Sequence, residues 1–150
     1  MGTGSAAFLL AQVGAYAARM FDERIGSLEL TPPQVGLLRA IAMQPGRSQQ
    51  ALAEQLGTPA TRLVALLDGL ERRGAIERRR NPDDRRLHAL HLTEVGQELM
   101  RSVGRVAMAH GADLTAALDD SERAQLQRLL LRIAEDKKLA AGVHPGFRSV

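Results

Sequence analysis

"SQQALAEQLGTPATRLVALLDGLERRGAIERRRNPDDRRLHALHLT", residues 48–93, places two helical signatures, a tight turn and two short strands in direct succession. Ser48 can cap a short helix that Gly57 terminates, and Thr58-Pro59 opens the next one at once, running to Gly74. Two helices joined across so short a turn are the pattern of a helix-turn-helix unit. "AIERRR" and "RLHALHLT" then read as strands around Asn81-Pro82-Asp83-Asp84, a turn with Asn first and Pro second. His88, Leu90 and Leu92 share one face of the second strand, and Leu87, Ala89 and His91 the other. Leu90, Leu92 and Ile76 can cover the helices. Helix, helix, hairpin predicts a winged helix.

The flanking sequence extends this unit with more helix. In "LTPPQV", Thr31 can cap a helix with Pro32 at its first position and Gln34 completing a capping box, with Leu30 and Val35 as the hydrophobic staple. That helix carries Val35, Leu37, Leu38 and Ile41 and should stop near "QPG", residues 44–46. Thr93 caps a long helix over 94–118. Asp119 with Glu122 forms another capping box ahead of a last helix reaching 142. The chain's opening, "MGTGSAAFLLAQVGAYAA", has 18 uncharged residues, which raises a signal peptide or a membrane span. A signal needs basic residues ahead of its apolar region, and the first arginine here is Arg19. Leu9, Val13, Tyr16, Met20 and Phe21 recur instead at helical spacing, as an amphipathic helix in want of a partner.

Composition agrees. In 150 residues there are three Phe, one Tyr and no Trp, so Leu, Ala, Val and Ile must build the core, favouring helix over sheet. The absence of cysteine excludes disulfides, thiolate zinc sites and thiol redox sensing, and suits a cytoplasmic location. The expected fold is mainly α with a small β-hairpin wing: an N-terminal dimerisation helix in 1–29, a winged helix-turn-helix lobe in 30–92, and C-terminal dimerisation helices in 93–150. Leu126, Leu129, Leu130 and Ile133 form a stripe that one small domain could not wholly bury, and the N-terminal helix offers a matching one. A symmetric homodimer is the economical solution.

The formal charge of +3 is unevenly distributed. Residues 58–92 hold eight Arg against five acidic residues, while the rest of the chain is balanced at twelve of each. The excess therefore sits in one lobe, as for a protein that meets a polyanion, with a solvated charged face as the plain alternative. On the second helix of the unit, Leu63, Leu66, Leu67 and Leu70 form one stripe. Thr61, Ala65, Asp68 and Arg72 lie opposite, with Arg62 and Gly69 on the flank. Small and polar residues in the first exposed turn suit entry into a major groove, where Thr61 and Arg62 can reach base edges or phosphates and Ala65 a thymine methyl. Asp68 would repel phosphate unless Arg72, four residues on, pairs with it.

Signs of enzymatic chemistry are poor, and no cofactor is implied. There is no Gly-rich phosphate loop, activated nucleophile or carboxylate pair in an apolar setting. His88 and His91 should face opposite ways on a strand. His110 and Asp113, one helical turn apart, lack the further ligands a metal would need, so no metal site is expected.

Residues 48–96 resemble the MarR family of winged-helix transcriptional regulators, most specifically in "LERRGAIERR", the wing sequence "DRR" at 84–86, Leu92-Thr93 and Gly96. The resemblance implies that the first and last helices interlock two subunits on double-stranded DNA, and that the wing's Asp-x-Arg element falls on Asp84 and Arg86. Arg86 would then enter the minor groove, braced by Asp84, with Arg85 and Arg80 on flanking phosphates. Asp83 is more simply a turn residue. The full set of expected DNA contacts is Ser48, Gln49, Thr58, Ala60, Thr61, Arg62, Ala65, Arg80, Asp84, Arg85 and Arg86. Many members carry a Ser near the start of the recognition helix and a Thr-Arg pair in its first two turns. This chain has Pro59, Val64 and Ala65 there, which shifts weight onto the wing and DNA shape. The resemblance also implies a small aromatic or phenolic effector between the dimerisation helices and the lobe, where Tyr16, Met20, Arg39 and His110 are candidate lining residues; plain core packing is the alternative for Tyr16 and Met20. The expected function is a homodimeric regulator, a repressor in most of the family, acting on a pseudo-palindromic operator without a membrane. The competing reading is a winged helix whose basic face takes a protein or an acidic membrane.

Overall fold

Leucine spacing decides which side of each helix turns inward, and a computed structural model, describing residues 4–81, 83 and 88–143, shows where those sides meet. The order is α1 (Ala6–Gly26), α2 (Pro32–Met43), α3 (Gln49–Leu56), α4 (Ala60–Arg72), β1 (Ile76–Arg80), β2 (His88–Leu92), α5 (Glu94–Leu114) and α6 (Asp120–Asp136). The chain is mostly helical, with one antiparallel hairpin.

Leu37, Leu38 and Ile41 of α2, Leu52 and Leu56 of α3, Leu63, Leu67 and Leu70 of α4, and Leu90 of β2 meet in one core from which solvent is excluded. Each such side chain contributes about 1.5–3 kcal/mol on burial. Among the described residues, Ile25 of α1 and Val103 of α5 join this buried set from outside residues 30–92, and Phe21, Leu99, Met100 and Val106 of the same two helices pack partly buried against it.

Local chemistry starts most helices where the sequence places them. The Ser48 hydroxyl accepts from the Ala51 N–H at 3.1 Å and that of Thr93 from Gly96 at 3.1 Å. Asp119 and Glu122 exchange hydrogen bonds at 2.9 Å each, and Gln34 accepts from the Thr31 N–H at 3.0 Å. Gly57 ends α3 at φ 62°, the left-handed conformation its missing Cβ permits.

Three boundaries differ from expectation. Pro59, not Thr58, occupies the cap position of α4, whose N-terminus has no side-chain cap. Helix α5 ends at Leu114 rather than 118, where the Thr115 hydroxyl donates to the Gly111 carbonyl at 2.7 Å and tight turns lead to the Asp119 cap. Helix α6 ends at Asp136 rather than 142, with Lys138 in the left-handed region at φ 54° and the Leu139 N–H closing back on Ala134.

In the hairpin, Ile76 lies opposite Leu92, Arg78 opposite Leu90, and Arg80 opposite His88. The segment before α3 pairs with the free edge of β2: Gly46 donates to the Leu90 carbonyl and Leu90 to that of Arg47, both at 2.9 Å, with Ser48 bridged to Ala89. The wing is thereby tied to the start of the helix-turn-helix. Gly96 fixes α5 to the base of β1, since a Cβ there would lie 2.0 Å from the Ala75 carbonyl oxygen.

The long helices leave apolar surface uncovered. Leu9, Val13 and Tyr16 of α1 and Leu126, Leu129, Leu130 and Ile133 of α6 are exposed, and α6 has no buried residue. Among the described residues, no helix is long and apolar enough to cross a membrane.

Candidate nucleic-acid interface

Burial of Leu63, Leu67 and Leu70 turns the opposite side of α4 to solvent, and Ala60, Thr61, Arg62 and Ala65 are all exposed there. With Pro59 at the cap and no side chain covering it, the first N–H groups of α4 suit an anion. A shallow groove lined by Gln49, Gln50, Ala53, Glu54, Gly57, Thr58, Pro59 and Ala60 brings the starts of α3 and α4 onto one surface. Ser48 is half-buried, its hydroxyl already engaged in capping α3. Gln49 is half-buried beside it.

Thr58 departs from the expected set. It is only 7% exposed, and its hydroxyl is buried without a hydrogen-bond partner. Gly57 ends α3 so abruptly that the next residue turns inward, and only a small part of Thr58 reaches the groove.

In the hairpin, Arg80 is exposed at the end of β1. The turn is held at Asn81, whose side-chain carbonyl accepts from the Asp83 N–H at 2.9 Å. Asp84, Arg85 and Arg86, the expected wing contacts, lie outside the described residues.

The expected pairing of Asp68 with Arg72 is replaced by another. Arg78 Nη2 donates to Asp68 Oδ1 at 2.7 Å, and its Nε lies 3.3 Å from Glu71 Oε2. The tight turn after α4 lays β1 back along the helix, and residue 78 shares the inward face with Ile76, so Arg78 reaches these carboxylates across the gap. Its neighbour Arg79 points the other way and bonds Glu77 at 2.7 Å. Arg73, at the end of α4, donates to the carbonyls of Glu29 at 2.6 Å and Leu28 at 2.9 Å. Arg73 and Arg78 thus tie separate elements together, while Arg79 stays more than half exposed beside Glu77. By sequence all three belong to the basic cluster, and the inward parity of residues 76 and 78 is the signal that sets Arg78 apart.

The expected effector residues lie on three helices, Tyr16 and Met20 on α1, Arg39 on α2 and His110 on α5. Tyr16 is exposed, with the Arg19 guanidinium 5.8 Å above its ring. Met20 is half-buried, and His110 meets the Phe21 ring at 5.6 Å. Arg39 lines a cleft of about 320 Å³ with Met43, Gln55, Gly142 and Val143, a lining that includes none of the other three. Asp113 is taken by Arg24 at 2.6 Å rather than paired with His110. Among the described residues, no group of three His, Asp or Glu is placed to hold a metal.

The MarR family profile matches residues 28–87. A protein of Thauera aromatica, assigned to transcriptional regulation of the hcr operon, is 34% identical over 142 residues, which span 93% of this chain and 86% of its own. Wild-type MarR of E. coli in its apo form has a similar structure, with a TM-score of 0.78 at 25% identity over 89% of this chain and 98% of that one. CouR, a transcriptional repressor solved on a 23-mer DNA duplex, gives 0.75 at 33% identity over 87% and 92%.

Proposed function

This chain belongs to the MarR family of DNA-binding transcriptional regulators, not enzymes, and from that premise we propose that it is a cytoplasmic repressor that binds a pseudo-palindromic operator as a homodimer. The observation that carries the reading is the exposed first turn of α4: Thr61, Arg62 and Ala65 stand opposite a buried leucine stripe, at a helix N-terminus open to phosphate. A helix so presented can enter the major groove with short side chains toward the bases.

The uncovered stripes of α1 and α6 support the dimer, because two copies related by a two-fold axis bury what one leaves exposed. Such a dimer sets its recognition helices roughly 34 Å apart, one turn of duplex. On this reading Gln49, Ala60, Thr61, Arg62 and Ala65 face the major groove. Arg80 and Arg85 hold phosphates, and Arg86, steadied by Asp84, enters the minor groove. A small aromatic or phenolic anion, taken between the dimerisation helices and the lobe near Tyr16, Met20, Arg39 and His110, releases the operator by favouring dimers whose recognition helices are wrongly spaced.

Selection of bound fragments from genomic DNA tests this: a pseudo-palindrome with half-sites one turn apart is expected. Binding to random duplex should weaken steeply with salt, by roughly 0.9 log units per log unit of salt for each phosphate neutralised. No DNA binding at low salt would turn the reading toward a winged helix whose basic face serves a protein or an acidic membrane.

A further inference from the structure

We propose that Arg78, although it stands inside the arginine-rich hairpin, makes no contact with DNA and instead braces the wing against the recognition helix, making Arg78, Asp68 and Glu71 positioning residues for operator selectivity. The inference rests on the DNA-binding reading above.

Geometry separates this arginine from its neighbours. Its side chain is 25% exposed, and its Nε is enclosed beside Glu71 at 3.3 Å without a hydrogen bond. Arg80, two residues on, is exposed and makes no ion pair among the described residues. Directly across the hairpin from Arg78 is Leu90, fully buried, so the arginine stem lies over the core while its head crosses to α4. Asp68 and Glu71 are three residues apart and share one side of the helix, so a single planar guanidinium can address both. A lysine could not do so with the same forked geometry.

The consequence for recognition is mechanical. The wing joins α4 through the short turn at Gly74; its β2 edge is tied to the start of α3 by the Gly46 and Arg47 bonds to Leu90, and the angle of β1 to α4 depends further on what crosses the gap between them. Arg78 crosses it, one guanidinium fixing the wing to two successive turns of the helix. Operator reading needs helix and wing in their two grooves at once, so their mutual angle is a determinant of specific binding. Random DNA, held mainly through phosphates, requires much less of that angle.

Electrostatics alone and the brace predict opposite signs for one variant. Asp68→Asn removes a negative charge from the DNA-facing lobe and, by charge alone, should tighten binding to every duplex. The brace predicts that operator affinity falls by roughly tenfold, the scale of one charge-assisted hydrogen bond, while random-duplex affinity holds or rises. Arg78→Gln should cost the operator a similar factor without changing the salt dependence, whereas loss of a phosphate-contacting arginine lowers the salt slope by about one. Fluorescence anisotropy on the selected operator and a scrambled duplex, across a salt series, reads all of these. Equal tightening of both duplexes by Asp68→Asn, or an equal loss with a reduced slope in Arg78→Gln, would overturn the brace. If Arg78→Gln fails to fold by thermal melting, the half-exposed Asp68→Asn and Glu71→Gln carry the test alone. A wild-type protein without operator preference would sink the DNA-binding reading instead, a separate outcome.

Discussion

At Thr58 the chain buries a hydroxyl without a hydrogen-bond partner, at the point where α3 gives way to α4. A buried, unsatisfied polar group costs about 1–3 kcal/mol, so Thr58→Val should raise stability by about 1 kcal/mol in chemical denaturation and leave DNA affinity unchanged. Weakened DNA binding in that variant would restore Thr58 to the contact surface. Arg86 belongs to the opposite case, a residue whose role rests on the family's Asp-x-Arg element. Arg86→Ala should weaken operator binding by at least about 1 kcal/mol, measured by anisotropy, and wild-type affinity would remove it from the minor groove. What sequence reveals at this scale is residue type, not partner. Asp68 was legible as an acid that needed neutralising, but its partner comes from the next strand rather than from one turn along the helix. Spacing along a helix reports only neighbours on that helix.

Elements were read most securely where a side chain commits the backbone locally. Ser48, Thr93 and the Asp119–Glu122 pair each satisfy exposed N–H groups of a first turn, so the sequence marks those starts within a residue. Helix ends were less legible: Thr115 and Lys138 close α5 and α6 early through local hydrogen bonding and backbone conformation, without a glycine or proline at the stop. The pairing of Arg47 and Ser48 with β2 was invisible too, because a bridge of one or two residues has no periodicity. Gly96 shows how one position can join elements. Gly96→Ala would drive a methyl into the Ala75 carbonyl and lever α5 from the base of β1, at a cost of about 1–3 kcal/mol. Urea denaturation should show the loss, and an unchanged midpoint would mean that α5 can shift freely.

At the scale of the whole molecule, the proposed dimer rests on the uncovered apolar sides of α1 and α6. Leu130 remains 40% exposed and Val13 51% exposed in the single chain. Burying such stripes between two subunits removes several large side chains from water at roughly 25 cal/mol per Å². Leu130→Glu should therefore yield monomers by sedimentation velocity, with operator binding reduced to that of a single half-site and random-duplex binding at low salt retained. A dimer that survives both Leu130→Glu and Val13→Glu would place the interface elsewhere.

The sequence by itself determined the order of helices and hairpin, most helix starts, the inward leucines and the concentration of positive charge in one lobe, because these depend on spacing and on groups a few residues apart. Only the tertiary structure decided which arginines remain available to a partner. Arg73, Arg78 and Arg79 are taken up by carbonyls and carboxylates, one of them 45 residues distant, while Arg80 has no such partner among the described residues. Charge can be counted along a chain, but its availability depends on what folding brings within hydrogen-bond reach, and that is set by long-range packing rather than by local pattern.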